Sequence, residues 1–223
     1  MRLAIIIRGV SYGDYISAIS QSQTRTSYLD FIDDFKKLVV DELKIIGYSH
    51  IDIFLITYHS DMPQDKIIAD YGAVDAHFSE LQYHIAFNIY SVITKQYHQG
   101  YVMACNYAEK HGFEYDAFLF TRFDIRLKKP LTQFRVDPTK LNISFNAENM
   151  GICDDSFWLV PKQHMPLLLK GLQHPMNGEC MSHEILRHLI NYANMPEEQW
   201  LNFMIDGFYW CHSTPFYHLR YGS

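Results

Sequence analysis

The sequence lacks the glycine-rich loops that usually mark a nucleotide-binding chain. Neither GxGxxG nor GxxxxGK[ST] occurs among its 223 residues and 11 glycines. The common dinucleotide-binding and P-loop readings therefore lose their main support. Cysteine is scarce as well. Cys105, Cys153, Cys180 and Cys211 form no CxxC pair or zinc-knuckle spacing, which suits a reducing compartment better than a disulfide scaffold. Positive charge is also short: 19 Lys and Arg against 25 Asp and Glu give a net charge of -6, with no basic stripe to follow a nucleic-acid backbone. Nucleic acid is thus not an expected partner, although a small local cluster of cations can still hold one phosphate group. No apolar run approaches the ~20 residues of a membrane span. The first run, Leu3 to Ile7, is too short for a signal h-region and is interrupted by Arg8. The expectation is a soluble, cytoplasmic protein.

What is present is enough apolar matter for a core, 48% of residues, and a regular alternation of strands and helices. Leu3 to Ile7 reads as a strand buried on both faces and closed by Arg8-Gly9. From Tyr28 to Ile46 apolar residues recur at three-and-four spacing, the stripe of one helix, with Gly47 as its stop. Ile51 to Thr57 is a second buried strand. Phe87 to His111 reads as a helix, with Gly100 as a candidate break and Gly112 as its terminal signal. Ala117 to Phe120 is a third strand. Strand, helix, strand, helix, strand is the βαβ pattern and predicts an α/β fold with a mostly parallel, Rossmann-like sheet covered by helices on both faces. Further along, Leu141 to Phe145, Ser156 to Val160 and Phe208 to Cys211 read as strands, and Pro161 to Leu172 and His183 to Tyr192 as helices. No linker interrupts the chain, so residues 1–223 read as one domain.

In an open α/β sheet ligands sit outside the carboxyl ends of the strands, near the point where strand order reverses. That rule selects three loops. In the first, Arg8, Gly9, Val10 and Ser11 offer a close backbone approach and polar edges to a nucleobase, or simply a strand end with a permissive turn. In the second, Thr57 and Tyr58 offer a hydroxyl and a stacking ring for base or ribose, or a lid on the core. The third, Thr121-Arg122-Phe123-Asp124, places a carboxylate where a hard divalent cation bridging phosphate oxygens needs an oxygen ligand. Arg122 is able to fork a phosphate there, or to close the strand as an ion pair with Asp124.

The sequence stretches IIIRGVS, DIFLITYHS, YDAFLFTRFDI and CDDSFWLVP together resemble glycosyltransferases of the GT-A fold. More narrowly, they resemble small glycosyltransferase domains encoded by large DNA viruses of chlorella-like algae, one of which uses a UDP-linked L-rhamnose donor. The resemblance runs from Met1 to about Val160. It implies a UDP-sugar donor, a glycan acceptor and Mn²⁺ or Mg²⁺ on the last carboxylate of an Asp-x-Asp motif, which falls on Asp124. Arg122 stands at the position of that motif's first Asp. Phe123 then belongs to the donor-binding loop with Arg122, and His212 is the late histidine that matches the family's additional metal ligand, with His218 in reserve. Of the adjacent carboxylates ahead of the aromatic strand, Asp155 and Asp154 are candidates for the general base that takes the acceptor proton, or for a turn cap; Glu148 and Asn149 are weaker candidates for sugar contacts. Two other functions stay open. One is a non-catalytic nucleotide- or glycan-binding domain. The other is a sugar nucleotidylyltransferase, for which Arg8 to Gly13 is a poor version of the basic, glycine-rich loop. HExxH fails at Arg187, and no GxSxG is present.

Overall fold

The computed structural model describes residues 1–16, 23–80, 86–147, 152–180, 184–206, 215 and 217–219. Its strands are β1 (Arg2–Arg8), β2 (Tyr12–Ile16), β3 (Gln23–Ser27), β4 (His50–Tyr58), β5 (Asp75–Ser79), β6 (Ala117–Arg122), β7 (Ile125–Leu127), β8 (Leu141–Ile143), β9 (Asn146–Ala147), β10 (Ile152–Cys153), β11 (Trp158–Pro161), β12 (Leu201–Phe203) and β13 (Tyr217–Leu219). Its α-helices are α1 (Ile32–Phe35), α2 (Asp41–Ile46), α3 (Gln64–Tyr71), α4 (Ala86–Lys110), α5 (Met165–Met176), α6 (Ile185–Ala193) and α7 (Glu197–Trp200). A wider helical turn over Lys36–Val40 joins α1 to α2, so the stripe read from the sequence is one helical segment with an irregular middle.

Seven strands form the main sheet in the order β12-β8-β11-β6-β1-β4-β5. β1 pairs in parallel with both β4 and β6, β4 with β5, and β8 with β12, whereas β11 runs antiparallel to both β6 and β8. The expected mostly parallel α/β sheet therefore forms, with one reversed strand inserted next to β6. Strand alternation sorts the side chains between two cores. Leu3, Ile5 and Ile7 pack with Ile32, Phe35, Val39 and Leu43 of the first helical segment. On the other face Ala4, Ile6, Phe54 and Ile56 pack with Tyr97, Ala104 and Ala108 of α4, and the same core continues to Leu168 and Leu189 of α5 and α6. Cover on both faces is the physical reason that β1, β4 and β6 read as unbroken apolar runs.

The long helix is not broken at the candidate position: α4 is continuous through Gly100. A Cβ at that position would lie 2.3 Å from Ile6 Cγ2 and 3.3 Å from Ile56 Cγ1. Gly100 thus lets the helix close onto β1 and β4. The hairpin of β2 and β3, helix α3 and strand β5 had no clear sequence signal; β5, with its sequence DAHFS, is a partly exposed edge strand without an apolar run. The strand expected over Phe208–Cys211 lies outside the described residues. No helix among the described residues is long and apolar enough to cross a membrane.

Candidate functional site

The chain leaves β1 for β4 and β5 on one side and returns to β6 on the other, so strand order reverses between β1 and β6. The crevice at a reversal opens at the carboxyl ends of the strands. Arg8 and Arg122 are the last residues of those two strands and are register partners. Two of the three loops selected from the sequence therefore meet, each contributing a cation. Gly9 has φ +106, a conformation that L side chains rarely adopt, and a Cβ there would meet open space. Its N–H donates to the Ile56 carbonyl at 3.0 Å, and the Phe123 N–H donates to the Arg8 carbonyl at 3.3 Å, tying the loops together.

Arg8 is 4% exposed, and its guanidinium lies over the Tyr97 ring at 4.5 Å from the centroid. Among the described residues its Nε and Nη2 have no hydrogen-bond partner. Tyr97, fully buried on α4, also packs against Phe120 and Trp158, and its hydroxyl donates to the Asp155 carbonyl at 2.6 Å. Burial pushes its phenol up to about 12, against the opposing influence of Arg8. Tyr58, half-buried at the end of β4, is likewise pushed up by burial, opposed by Arg8 and by a hydrogen bond with Gln96. Sequence reasoning missed Gln96 and Tyr97. Their only trace in the sequence is their place about one turn before Gly100, where the helix approaches the sheet.

Arg122 and Asp124 form a closed fork: Nε donates to Oδ1 at 2.7 Å and Nη2 to Oδ2 at 2.5 Å. Both carboxylate oxygens of the expected metal ligand are thus engaged by the arginine. Among the described residues no group of three His, Cys, Asp or Glu side chains is arranged to hold a metal ion. Mg²⁺ demands near-octahedral oxygen coordination and Mn²⁺ prefers hard oxygen ligands, so the described donors do not fit either ion as they stand. His212 lies outside the described residues. β13 pairs with β7 so that His218 stands opposite Arg126, which brings the backbone of the reserve histidine close to the Asp124 turn.

Other expectations separate in the same way. Phe123 is 2% exposed and packs edge-on against Tyr71 at 5.4 Å, so it belongs to the core and its placement on the donor is corrected. Thr57 and Ser11 are also buried: the Thr57 hydroxyl donates to the Gly9 carbonyl at 2.8 Å and shares a hydrogen bond with the Ser11 hydroxyl at 3.0 Å. These two hydroxyls brace the β1 and β4 loops and are not presented to a ligand. Gly9, Val10 and Tyr58 remain partly accessible at the crevice.

β11 decides the fate of the adjacent carboxylates. Because it runs antiparallel to β6, with Trp158 opposite Phe120, its entry turn lies at the carboxyl end of β6. Asp154 is buried in that turn. It accepts from the Ser144 hydroxyl and, at 3.1 Å, from the Ser156 N–H, while its carbonyl accepts from the Trp158 indole at 2.5 Å. Asp154 is therefore the turn cap, and as a base candidate it is corrected. Asp155 is half-buried and close enough to Tyr97 to contribute to raising its phenol. Glu148 and Asn149 lie outside the described residues.

A shallow groove at the opposite end of the sheet, bordered by Met1, Tyr48, Asp116 and Lys162, has no comparable convergence. Its Asp116 accepts from the Arg2 N–H, and its Lys162 pairs with Glu114.

No family model and no curated protein matches the chain. Among solved structures it is similar to a glycosyltransferase involved in the glycosylation of the major capsid of PBCV-1, at 12% identity and a TM-score of 0.44, over 91% of this chain and 83% of that one. It is also similar to the glycosyltransferase GlyE of Streptococcus pneumoniae TIGR4, at 14% identity and a TM-score of 0.36, over 86% of this chain and 44% of that one.

Proposed function

We propose that this chain is a glycosyltransferase that moves a sugar from a nucleoside diphosphate donor, a UDP-sugar, to a hydroxyl of a glycan acceptor. The observation that supports it is the meeting of Arg8 and Arg122 at the strand-order reversal, with Asp155 joined to the same cluster through Tyr97, which lies under Arg8 and donates to the Asp155 carbonyl. In the reaction a bond forms between the acceptor oxygen and the anomeric carbon as the bond from that carbon to the diphosphate breaks. Asp155 takes the proton of the acceptor hydroxyl, and the departing UDP gains negative charge next to two arginines. Fixed cations at that position lower the barrier, because the charge they meet is greater in the transition state than in the bound donor. Tyr58 and the Gly9-Val10 backbone border the space for base and ribose.

No step is assigned to Mn²⁺ or Mg²⁺, since the described carboxylate is already forked by Arg122. That same closed fork favours a second reading, a nucleotide- or glycan-binding domain without turnover. Release of UDP from a panel of UDP-sugars, with and without oligosaccharide acceptors, separates the two. Transfer to an acceptor supports the enzyme. Binding of UDP without turnover across the panel supports the binding domain. The nucleotidylyltransferase reading gains nothing, because Tyr12–Ile16 is a strand of the β2 and β3 hairpin and not a phosphate-wrapping loop.

A further inference from the structure

A guanidinium buried with two orphaned donors is costly, since each N–H has lost water and gained nothing in exchange. Arg8 is in that state at Nε and Nη2, and no ion pair compensates it among the described residues. The Tyr97 ring covers it at 4.5 Å. Such a contact offsets part of the lost hydration of the charge, but it supplies no acceptor in the plane of the fork. The two orphaned atoms belong to one edge of the guanidinium. Arg122 uses the same two atoms, Nε and Nη2, to hold both oxygens of Asp124. Two parallel N–H groups on one edge match a pair of oxyanion oxygens, the geometry in which arginine binds carboxylate and phosphate most strongly. Arg8 therefore holds, at the strand-order reversal and against Tyr97, an oxyanion fork with no oxyanion in it among the described residues.

We propose that Arg8 is the anchor for the donor's diphosphate: phosphate oxygens accept from its Nε and Nη2, and the nucleotide is held without a divalent cation. The proposal rests on reading this crevice as the donor site. Arginine charge does here what a cation does elsewhere.

Titration calorimetry on the full chain tests it, with UDP, uridine and inorganic pyrophosphate as probes, first in EDTA and then with Mn²⁺. The expected result is UDP and pyrophosphate binding in EDTA, much weaker binding of uridine, and little gain on adding Mn²⁺. Arg8→Met should lower UDP affinity by at least ~10-fold, the loss of a charge-assisted bidentate contact. Its melting temperature without ligand should be unchanged or higher, because an unpaired buried charge is gone. Arg8→Lys, which keeps the charge and loses the fork, should bind UDP more weakly than wild type. UDP binding that requires Mn²⁺ overturns the arginine anchor and leaves the transferase reading standing. Wild-type UDP affinity in Arg8→Met, or a large drop in its ligand-free melting temperature, also overturns the anchor. Failure of UDP and pyrophosphate to bind under either condition removes the donor site itself, and the anchor with it.

Discussion

Arg8 and Arg122 stand opposite each other at the ends of β1 and β6, two like charges in adjacent register. Such neighbours repel unless an anion lies between or beside them. Asp124 supplies one, closing on Arg122 with both oxygens.

Asp124→Asn therefore has two expected effects of opposite sign. Stability should fall by about 1–2 kcal/mol in urea unfolding, the scale of a partly buried, charge-assisted fork. UDP affinity in EDTA should rise, because Arg122 is released to the diphosphate. A carboxylate acting as metal ligand gives the reverse, weaker binding that no longer responds to Mn²⁺.

The adjacent carboxylates should part company under mutation. Asp154→Asn breaks the cap that holds the β11 entry turn, and unfolding should show a loss of about 1–3 kcal/mol, the cost of unpairing a buried hydrogen-bonded group. Asp155→Asn should leave stability and UDP affinity nearly unchanged while transfer falls by ~100-fold or more, the contribution of a positioned general base. Transfer that survives in Asp155→Asn assigns the proton to another group.

Gly100→Ala tests the contact between α4 and the sheet. Alanine favours a helix over glycine by ~1 kcal/mol, yet its Cβ would sit 2.3 Å from Ile6 Cγ2. Overpacking of about 1–3 kcal/mol should win. Chemical denaturation should show a net loss, and a net gain would mean that the helix is able to move away from β1.

A pH effect is expected at the packing of α5 on α6. His188 stacks on His174 with ring centroids 3.8 Å apart. Burial and then His174 hold its pKa below 6.5, with Arg187 acting in the same direction and Glu179 and Glu184 opposing. The unfolded chain then binds more protons than the folded one just below 6.5, so stability is lost as pH falls through that value towards the folded pKa. The melting temperature should drop between about pH 7.5 and about pH 5.5, and drop less in His188→Gln. Equal drops would exclude His188 as the source.

The sequence alone was sufficient for β1, β4 and β6, the middle of the sheet. Runs such as Leu3 to Ile7 and Ala117 to Phe120 are apolar at every position because helices cover both faces, and that cover leaves a pattern visible without any knowledge of contacts. It was also sufficient to select the ends of β1, β4 and β6, since the location of an α/β crevice follows from topology. Contact decided the rest. Gly100 looks like a helix breaker in one dimension and proves to be a point of close approach, because its reason lies on Ile6, far away in the chain. The reversed direction of β11 has no local signature, yet it brings Asp155 to the crevice and buries Asp154. Spacing two residues apart allowed Arg122 and Asp124 to share a ligand or to hold each other; side-chain packing chose the second. Arg8 reads as an ordinary charged strand end. Only its burial against Tyr97, with Nε and Nη2 unpartnered among the described residues, sets it apart from the other strand-end charges.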